Sequence, residues 1–581
     1  MKIIGITYNH HGSSAALVID GKVVACLAEE RLNRVKNSSS FPINSLDKLL
    51  SSYSLKKENI DFFCINSNPK IFRKEKLLFF LKNIFKFLYF HESSLFKIKS
   101  ILKFFNYKHN DNGFFSKIPN NKIISLDHHL CHLNSAFLIS PFEDCVNLSL
   151  DGSGDFKSGS YGLSKNNKTI IDNSFYYPNS LGLFYLSMTQ FIGFKNAGDE
   201  YKVMGLSAYG SRNDALKKKI EQLISYENLN ILTNTRYFAY PFRNILKIKN
   251  NEILFDNLFS IDMEDFLNIK ANEKFVYTQT AADLALATQE VYEDIFLKIL
   301  DDLYLKYNNK NLCFSGGCAL NSKANGKILK NTKFQNIFIP SEPGDSGGAV
   351  GAAILTYYEK SGNAKFYQPN PYLSPPINHD DILVDLQGYI KANRIIAYTF
   401  KTDKELYNKV ANLLANNNVI AWFQDKMEFG PRALGNRSIL MNPQNKDAKN
   451  ILNLKIKLRE SYRPFAPAIM EEHLHDWFED AHPSPYMNFV FTIKKEKRKF
   501  IPAVCHVDNT GRVQTVSESD NEKFYKLIRS FYSITGIPIL INTSFNENEP
   551  ITYTAKDAIE TFLKTKIDHL ILQNHLITKI E

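Results

Sequence analysis

Short apolar runs separated by turns open the chain: Ile3–Thr7, Ala15–Ile19 and Val23–Ala28 read as strands, and the pattern turns helical over Ser45–Tyr53. The theme returns at Val146–Leu150, a glycine-rich turn, and Gly159–Leu163. Two strand–turn–strand units in one domain predict a duplicated α/β architecture that grips a nucleotide between its halves. A third glycine-rich turn, Ser315–Asn321, follows apolar Leu312–Phe314, and a fourth, Pro343–Gly348, precedes the helix-like Ala349–Tyr358. Such turns let backbone N–H groups approach phosphate or ribose oxygens, which marks Gly316, Gly317 and Asn321 as binding candidates. Four prolines between Pro369 and Pro376 resist both helix and central strand and read as a stiff linker. From about residue 377 a second α/β domain is expected, alternating helices (403–416, 555–563) with strands (395–397, 419–422, 539–541).

Composition is that of ordinary globular material, with no repeat array and no low-complexity tail. The chain has 581 residues, 44% apolar and 23% charged, which is length for two substantial cores. Seven cysteines without a Cys-x-x-Cys pair point to reduced thiols in the cytoplasm. No export signal is visible before the strand at Ile3, and the apolar stretch Leu77–Phe90 is interrupted by Lys82 and Lys86, so a soluble cytoplasmic protein is expected. The net charge of +11 is uneven, because eleven Lys/Arg face three acids between Pro69 and Asn120. Ile84, Phe87 and Leu88 follow Phe80 there at helical spacing, so the stretch reads as an amphipathic helical insert with a basic face. Nucleic acid or an acidic membrane surface is the sharper alternative for such a face.

Two constellations carry chemistry. His128 and His132 lie four apart on a helical pattern and so on one face, and Asp151 and Asp345 sit in glycine-rich turns, from which carboxylates can point into a cleft. Two imidazoles and two carboxylates without a thiolate suit Fe(II), Mn(II) or Zn(II). His129 points to another side, toward a substrate or intermediate. Further on, Arg432, Arg437, Lys457 and Arg463 lie among Gly, Pro and Phe, with only Glu428 and Glu460 as nearby counter-charge. Arginine forks and a lysine there suit phosphate groups, with Asn542 and Ser544 placed to hydrogen-bond a small amide or nucleotide.

In order, the segments His-His-x-x-His, Asp151-Gly-Ser-Gly-Asp155, Gly198-Asp-Glu-Tyr-Lys-Val-Met-Gly205, Gly-Gly-x-Ala-Leu-Asn321, Pro343-Gly-Asp-Ser-Gly347, Glu428-Phe-Gly-Pro-Arg-Ala-Leu-Gly-Asn-Arg437, Arg463-Pro-Phe-Ala-Pro467 and Asn542-Thr-Ser-Phe-Asn546 resemble those of the NodU/CmcH O-carbamoyltransferases. The resemblance runs from Met1 to Ile571 and skips only the basic insert. It implies an acetate-kinase/actin/Hsp70-type domain over residues 1–360 with the insert at about 69–120, a linker at 361–376, and a YrdC-like domain over 377–581. It further implies that the C-terminal domain makes carbamoyl-adenylate from carbamoyl phosphate and ATP, with Mg. The N-terminal domain would then pass the carbamoyl group to an acceptor hydroxyl at a metal, iron by resemblance, held by His128, His132, Asp151 and Asp345. Arg432, Arg437, Lys457, Arg463, Asn542, Ser544 and Arg512 match the family's phosphate and nucleotide contacts, Lys457 and Arg432 in catalytic roles. His129 or Asp155 is the general base expected for the acceptor. A sugar hydroxyl is the first choice of acceptor, and DNA with hydroxymethylated pyrimidines the alternative. A tRNA-modifying threonylcarbamoyl enzyme and a nucleotide-sensing regulatory protein are the rival readings. Cys505, before His506, departs from the family's pattern.

Overall fold

Strands β1 (Lys2–Thr7), β2 (Ser14–Ile19) and β3 (Lys22–Ala28) form an antiparallel meander in the computed structural model. The structure describes residues 1–83, 111, 113–196, 198–241, 246–249, 252–362, 370–457, 459–460 and 462–580. Most of the basic insert, including Ile84, Phe87, Leu88, Lys97, Lys99 and Lys103, and the linker residues 363–369 lie outside that set. β4 (Phe62–Ile65) pairs parallel with β1, and β5 (Ile123–Ser125) parallel with β4, giving the order β3-β2-β1-β4-β5.

The second sheet repeats this plan strand for strand. β6 (Asp144–Gly154), β7 (Lys157–Lys165) and β8 (Lys168–Tyr176) form an antiparallel meander. The Asn311–Ser315 strand runs parallel beside β6, and Asn336–Phe338 parallel beside it in turn. Equal order with equal strand senses in both sheets is the duplication that the sequence pattern predicts, and it places the β1–β2 and β6–β7 turns in equivalent positions. One detail differs from expectation. The glycine-rich segment Asp151–Gly154 is not a turn but the end of β6, with the ladder shifting register between Leu150 and Gly154. The reversal itself falls on Asp155 and Phe156, both at positive φ.

Helix Gly348–Ser361 lies on β1 and against helix His128–Phe137. A Cβ on its Gly351 would come within 1.9 Å of the Cys131 carbonyl oxygen, so the glycine sets how closely the histidine-bearing helix can pack. Ile4, Ile6, Leu17, Leu46, Leu49 and Phe63 fill one face of the first sheet.

The chain divides into two compact units. The first holds Met1–Glu30, Asn37–Asn321 and Asn331–Pro369, and the second Arg31–Lys36, Ser322–Lys330 and Asn370–Glu581. The second is built on a ten-stranded mixed sheet centred on Ile420–Phe423, Arg437–Met441 and Ile539–Ser544. Helices Asp403–Ala415 and Glu522–Thr535 pack together within this unit, and Asn521 caps the second of them. Both units are α/β. Among the described residues no helix is long and apolar enough to cross a membrane.

Candidate functional site

Helix His128–Phe137 is started by Asp127, whose Oδ1 accepts the Leu130 N–H at 2.9 Å while Lys157 holds its Oδ2 at 2.9 Å. The first turn of this helix puts the Nε2 atoms of His128 and His132 3.0 Å apart. Asp151 Oδ2 lies 3.3 Å and 3.2 Å from them, and Asp345 Oδ1 3.3 Å from each. All four ligand atoms fall within 4.8 Å of one another. A tetrahedral ion with bonds of 2.0–2.1 Å separates its ligands by roughly 3.3 Å, so these edges fit a first-row divalent ion. The rest of the cluster holds this aim. Gly152 and Gly317 donate their N–H groups to Asp151 Oδ1 at 2.7 Å and 3.2 Å, and His11 donates its backbone N–H to Asp345 Oδ2 at 3.1 Å. One oxygen of each carboxylate is thereby fixed, and the other faces the imidazoles.

Charge at the cluster also favours a cation. Burial would lower the His128 pKa, but hydrogen bonds to Asp151 and Asp345 raise it well above its ordinary value. Burial and Asp151 push Asp345 up, and hydrogen bonds to His128 and His132 overcome both and bring it down to about 2. Both aspartates are therefore ionised beside two buried rings.

The other predicted residues of the first unit lie around this cluster. His129 is fully buried, with Nδ1 2.9 Å from Ser149 Oγ, and burial together with His128 and His132 pushes it down to about 3. Asp155 accepts three hydrogen bonds, from Ser67 Oγ, Asn68 N–H and His128 N–H, and so ties the helix start to the loop after β4. Gly316 donates to the Pro343 carbonyl. Asn321 exchanges two side-chain hydrogen bonds with Gln289, which also accepts from Tyr185 and donates to Glu293. Sequence reasoning missed His10 and His11 in the β1–β2 turn. The His10 ring lies 4.7 Å from that of His128, and burial and His128 push it down to about 4. His11 Nε2 is buried with no hydrogen-bond partner among the described residues. The signal was the duplication itself, because the turn after β1 is the counterpart of the turn after β6.

The cationic residues of the second unit fall into two groups. Arg437 and Lys457 are buried and committed to protein acceptors. Arg437, 0% exposed, lies 3.5 Å over the Phe423 ring and donates to the carbonyls of Gln424, Asp425 and Asn436. Burial pushes it down to about 10. Lys457 Nζ donates to Ser544 O at 2.5 Å and to Asn546 O and Oδ1 at 2.7 Å and 2.6 Å, and burial with Arg459 and Arg463 pushes it well below its ordinary value. Ser544 Oγ donates to Asn546 Oδ1 at 2.7 Å, and Asn542 donates to Ala433 O and Gln514 Oε1.

The second group is Arg432, Arg459, Arg463 and Arg512. Burial and the three other guanidinium groups push Arg512 far down, and its Nε is buried with no partner among the described residues. Such a concentration of positive charge calls for an anion. Arg463 pairs with Glu460 at 3.5 Å. Glu428 instead turns Oε1 to the backbone N–H groups of Leu434, Asn436 and Arg437 and shapes the loop that carries Arg432. Arg459, another residue that sequence reasoning passed over, donates to Asn453 and stacks on Phe465. Its signal was a third cation in Lys455-Ile-Lys-Leu-Arg459.

Comparison with known proteins adds independent findings. Residues 2–354 match the family model described as carbamoyltransferase N-terminus, and residues 411–579 the one described as carbamoyltransferase C-terminus. Nodulation protein NolNO of Sinorhizobium fredii is 34% identical, over 99% of this chain and 79% of its own length. Uncharacterized protein sll1178 of Synechocystis is also 34% identical, over 99% of this chain and 96% of its length. Uncharacterized protein MJ1051 of Methanocaldococcus jannaschii is 33% identical over the whole of both. Among solved structures, HypF of T. kodakarensis is similar over 62% of this chain and 48% of its own, with 14% identity and a TM-score of 0.31, a likeness too distant to add to the fold.

Proposed function

The chain belongs to the carbamoyltransferase family, and from that premise we propose an ATP-dependent O-carbamoyltransferase that activates the carbamoyl group in the second unit and transfers it in the first. The observation that carries this reading is the convergence of His128, His132, Asp151 and Asp345 within 4.8 Å in a chain whose two parts match the two family models.

In the second unit, carbamoyl phosphate, ATP and one water give carbamoyl-adenylate, phosphate and pyrophosphate. Carbamate is a weak electrophile, and the adenylate gives it AMP as a leaving group. Arg432, Arg459, Arg463 and Arg512 offset the phosphate charges through this exchange. Lys457, Arg437, Asn542 and Ser544 hold the surrounding strands and loops in register through the contacts above.

In the first unit the acceptor hydroxyl oxygen attacks the carbamoyl carbon and AMP departs. A divalent ion held by the two histidines and two aspartates, iron by the family resemblance, supplies Lewis acidity toward a carbonyl or phosphate oxygen when bound. Gly317 and His11 keep the two aspartates aimed through their backbone N–H groups. The hydroxyl proton goes to an imidazole. Asp155 already accepts three hydrogen bonds, whereas His129 and His11 each keep a buried Nε2 without a partner among the described residues. The acceptor is a sugar hydroxyl. Incubation of candidate sugars with ATP and carbamoyl phosphate, followed by mass spectrometry, tests the reading. A gain of one carbamoyl mass supports it, and AMP and pyrophosphate formation without any modified acceptor refutes the choice of acceptor.

A further inference from the structure

The turn Cys505–Thr510 in the second unit carries His506, an imidazole with one buried nitrogen left unpaired among the described residues. The His506 backbone closes the turn, its N–H donating to Thr510 O at 2.9 Å and its carbonyl accepting the Asn509 N–H at 3.0 Å. Its Nε2 is buried with no hydrogen-bond partner among the described residues. The acid of this turn does not serve it. Asp508 Oδ1 accepts Thr510 Oγ1 at 2.7 Å, and Oδ2 pairs with Lys323 at 3.5 Å. Lys449 is committed to the Cys505 carbonyl at 2.6 Å. Six residues beyond His506 the strand that begins at Thr510 carries Arg512, whose Nε is likewise buried and without a partner among the described residues. Buried polar atoms are paired in the great majority of cases, so two orphans on one short segment, with three further guanidinium groups around Arg512, mark a place where a ligand completes the hydrogen bonding.

We propose that His506 Nε2 binds the carbamoyl end of carbamoyl phosphate, while the neighbouring arginines take its phosphate. Burial, opposed by Asp508 and reinforced by Lys449, Arg512 and Lys323, pushes His506 down to about 3. A neutral ring adds no charge for a phosphate dianion. It offers one directional donor or acceptor, which matches the neutral N–H and C=O groups of a carbamoyl group and not the phosphate oxygens. The same contact lets the site tell a carbamoyl phosphate from inorganic phosphate, because only the former satisfies the ring nitrogen.

This inference rests on the activation reaction assigned above to the second unit, and one kinetic comparison separates the two. Pyrophosphate release by the full-length protein is followed with carbamoyl phosphate and ATP varied separately and inorganic phosphate as the inhibitor, for the parent, His506→Ala and His506→Gln. The KM for carbamoyl phosphate rises at least ~10-fold in His506→Ala, the order expected for one buried hydrogen bond left unmade. The KM for ATP and the inhibition constant of phosphate stay within about twofold, and His506→Gln recovers part of the loss through its amide. An equal rise in the phosphate inhibition constant overturns the proposal in favour of phosphate binding, and an unchanged KM for carbamoyl phosphate overturns it outright. Loss of ATP binding in both variants makes His506 structural and overturns it as well. A parent that releases no pyrophosphate with carbamoyl phosphate refutes the underlying reaction instead.

Discussion

Gly154 has no room for a side chain: a Cβ there would lie 2.1 Å from Cδ2 of His128. Glycine at this position makes space for the His128 ring, a role that the Asp-Gly-Ser-Gly-Asp pattern alone does not reveal. Gly154→Ala is expected to displace His128 and lower metal content at least ~10-fold at limiting metal, with an overpacking cost of about 1–3 kcal/mol. Gly152→Ala is the control, because its Cβ meets only Leu183 Cδ2 at 3.8 Å. Elemental analysis and thermal melting of both variants check this, and equal metal content in the two contradicts it. The grouping of His128, His132, Asp151 and Asp345 was legible in the sequence because a helix period of 3.6 puts His128 and His132 on one face, and carboxylates in glycine-rich segments can point into a cleft. The duplication marked the turn that holds His10 and His11, but not the direction of their side chains, which depends on how the two halves of the duplication close. Arg437 and Lys457 show the same limit from the other side. Residue type said cation, but the carbonyls of Gln424, Asp425, Ser544 and Asn546 that surround them come together only in the folded sheet.

At the scale of elements, the connection from strand Ile539–Ser544 to helix Ala555–Lys564 is pinned by Glu549. Burial would raise its pKa, but its own backbone N–H and Lys564, 2.9 Å away, bring it down to about 2. The folded value lies below the unfolded one near 4.3, so the carboxylate contributes stability that is complete above pH ~5 and is lost as pH falls toward 2. Discounted for solvent screening, the contribution is about 1 kcal/mol. Chemical denaturation of the parent and Glu549→Gln at pH 7 and pH 3 is expected to show a gap that narrows on acidification, and a gap of equal size at both pH values contradicts the assignment. The strands and helices themselves were largely legible from apolar periodicity. The extension of β6 through Gly154 was not, because a bulge depends on the partner strand. Lys97, Lys99 and Lys103 of the basic insert lie outside the described residues. Reversing Lys97, Lys99 and Lys103 to Glu is expected to leave turnover of a sugar acceptor within about twofold and with a shallow salt dependence. Abolition of activity on a DNA acceptor with a steep salt slope would instead make the insert a nucleic-acid surface.

For the whole molecule, the proposed reaction is divided between two units with different chemistry: guanidinium groups for phosphates in the second, an imidazole and carboxylate cluster for carbamoyl transfer in the first. The duplicated sheet order positions the cluster, and the match to the two carbamoyltransferase models gives the class of group transferred. The most direct test is a single assay that counts both pyrophosphate and carbamoylated acceptor from ATP and carbamoyl phosphate, run on the parent, His132→Ala and Arg432→Ala. His132→Ala is expected to lose its metal and form less than ~1% of the parent's carbamoylated product while still releasing pyrophosphate, since one ligand of four is gone and the guanidinium cluster is intact. Arg432→Ala is expected to lose both products together. A His132→Ala protein that carries a full metal complement and carbamoylates the acceptor at the parent's rate would contradict the division of labour.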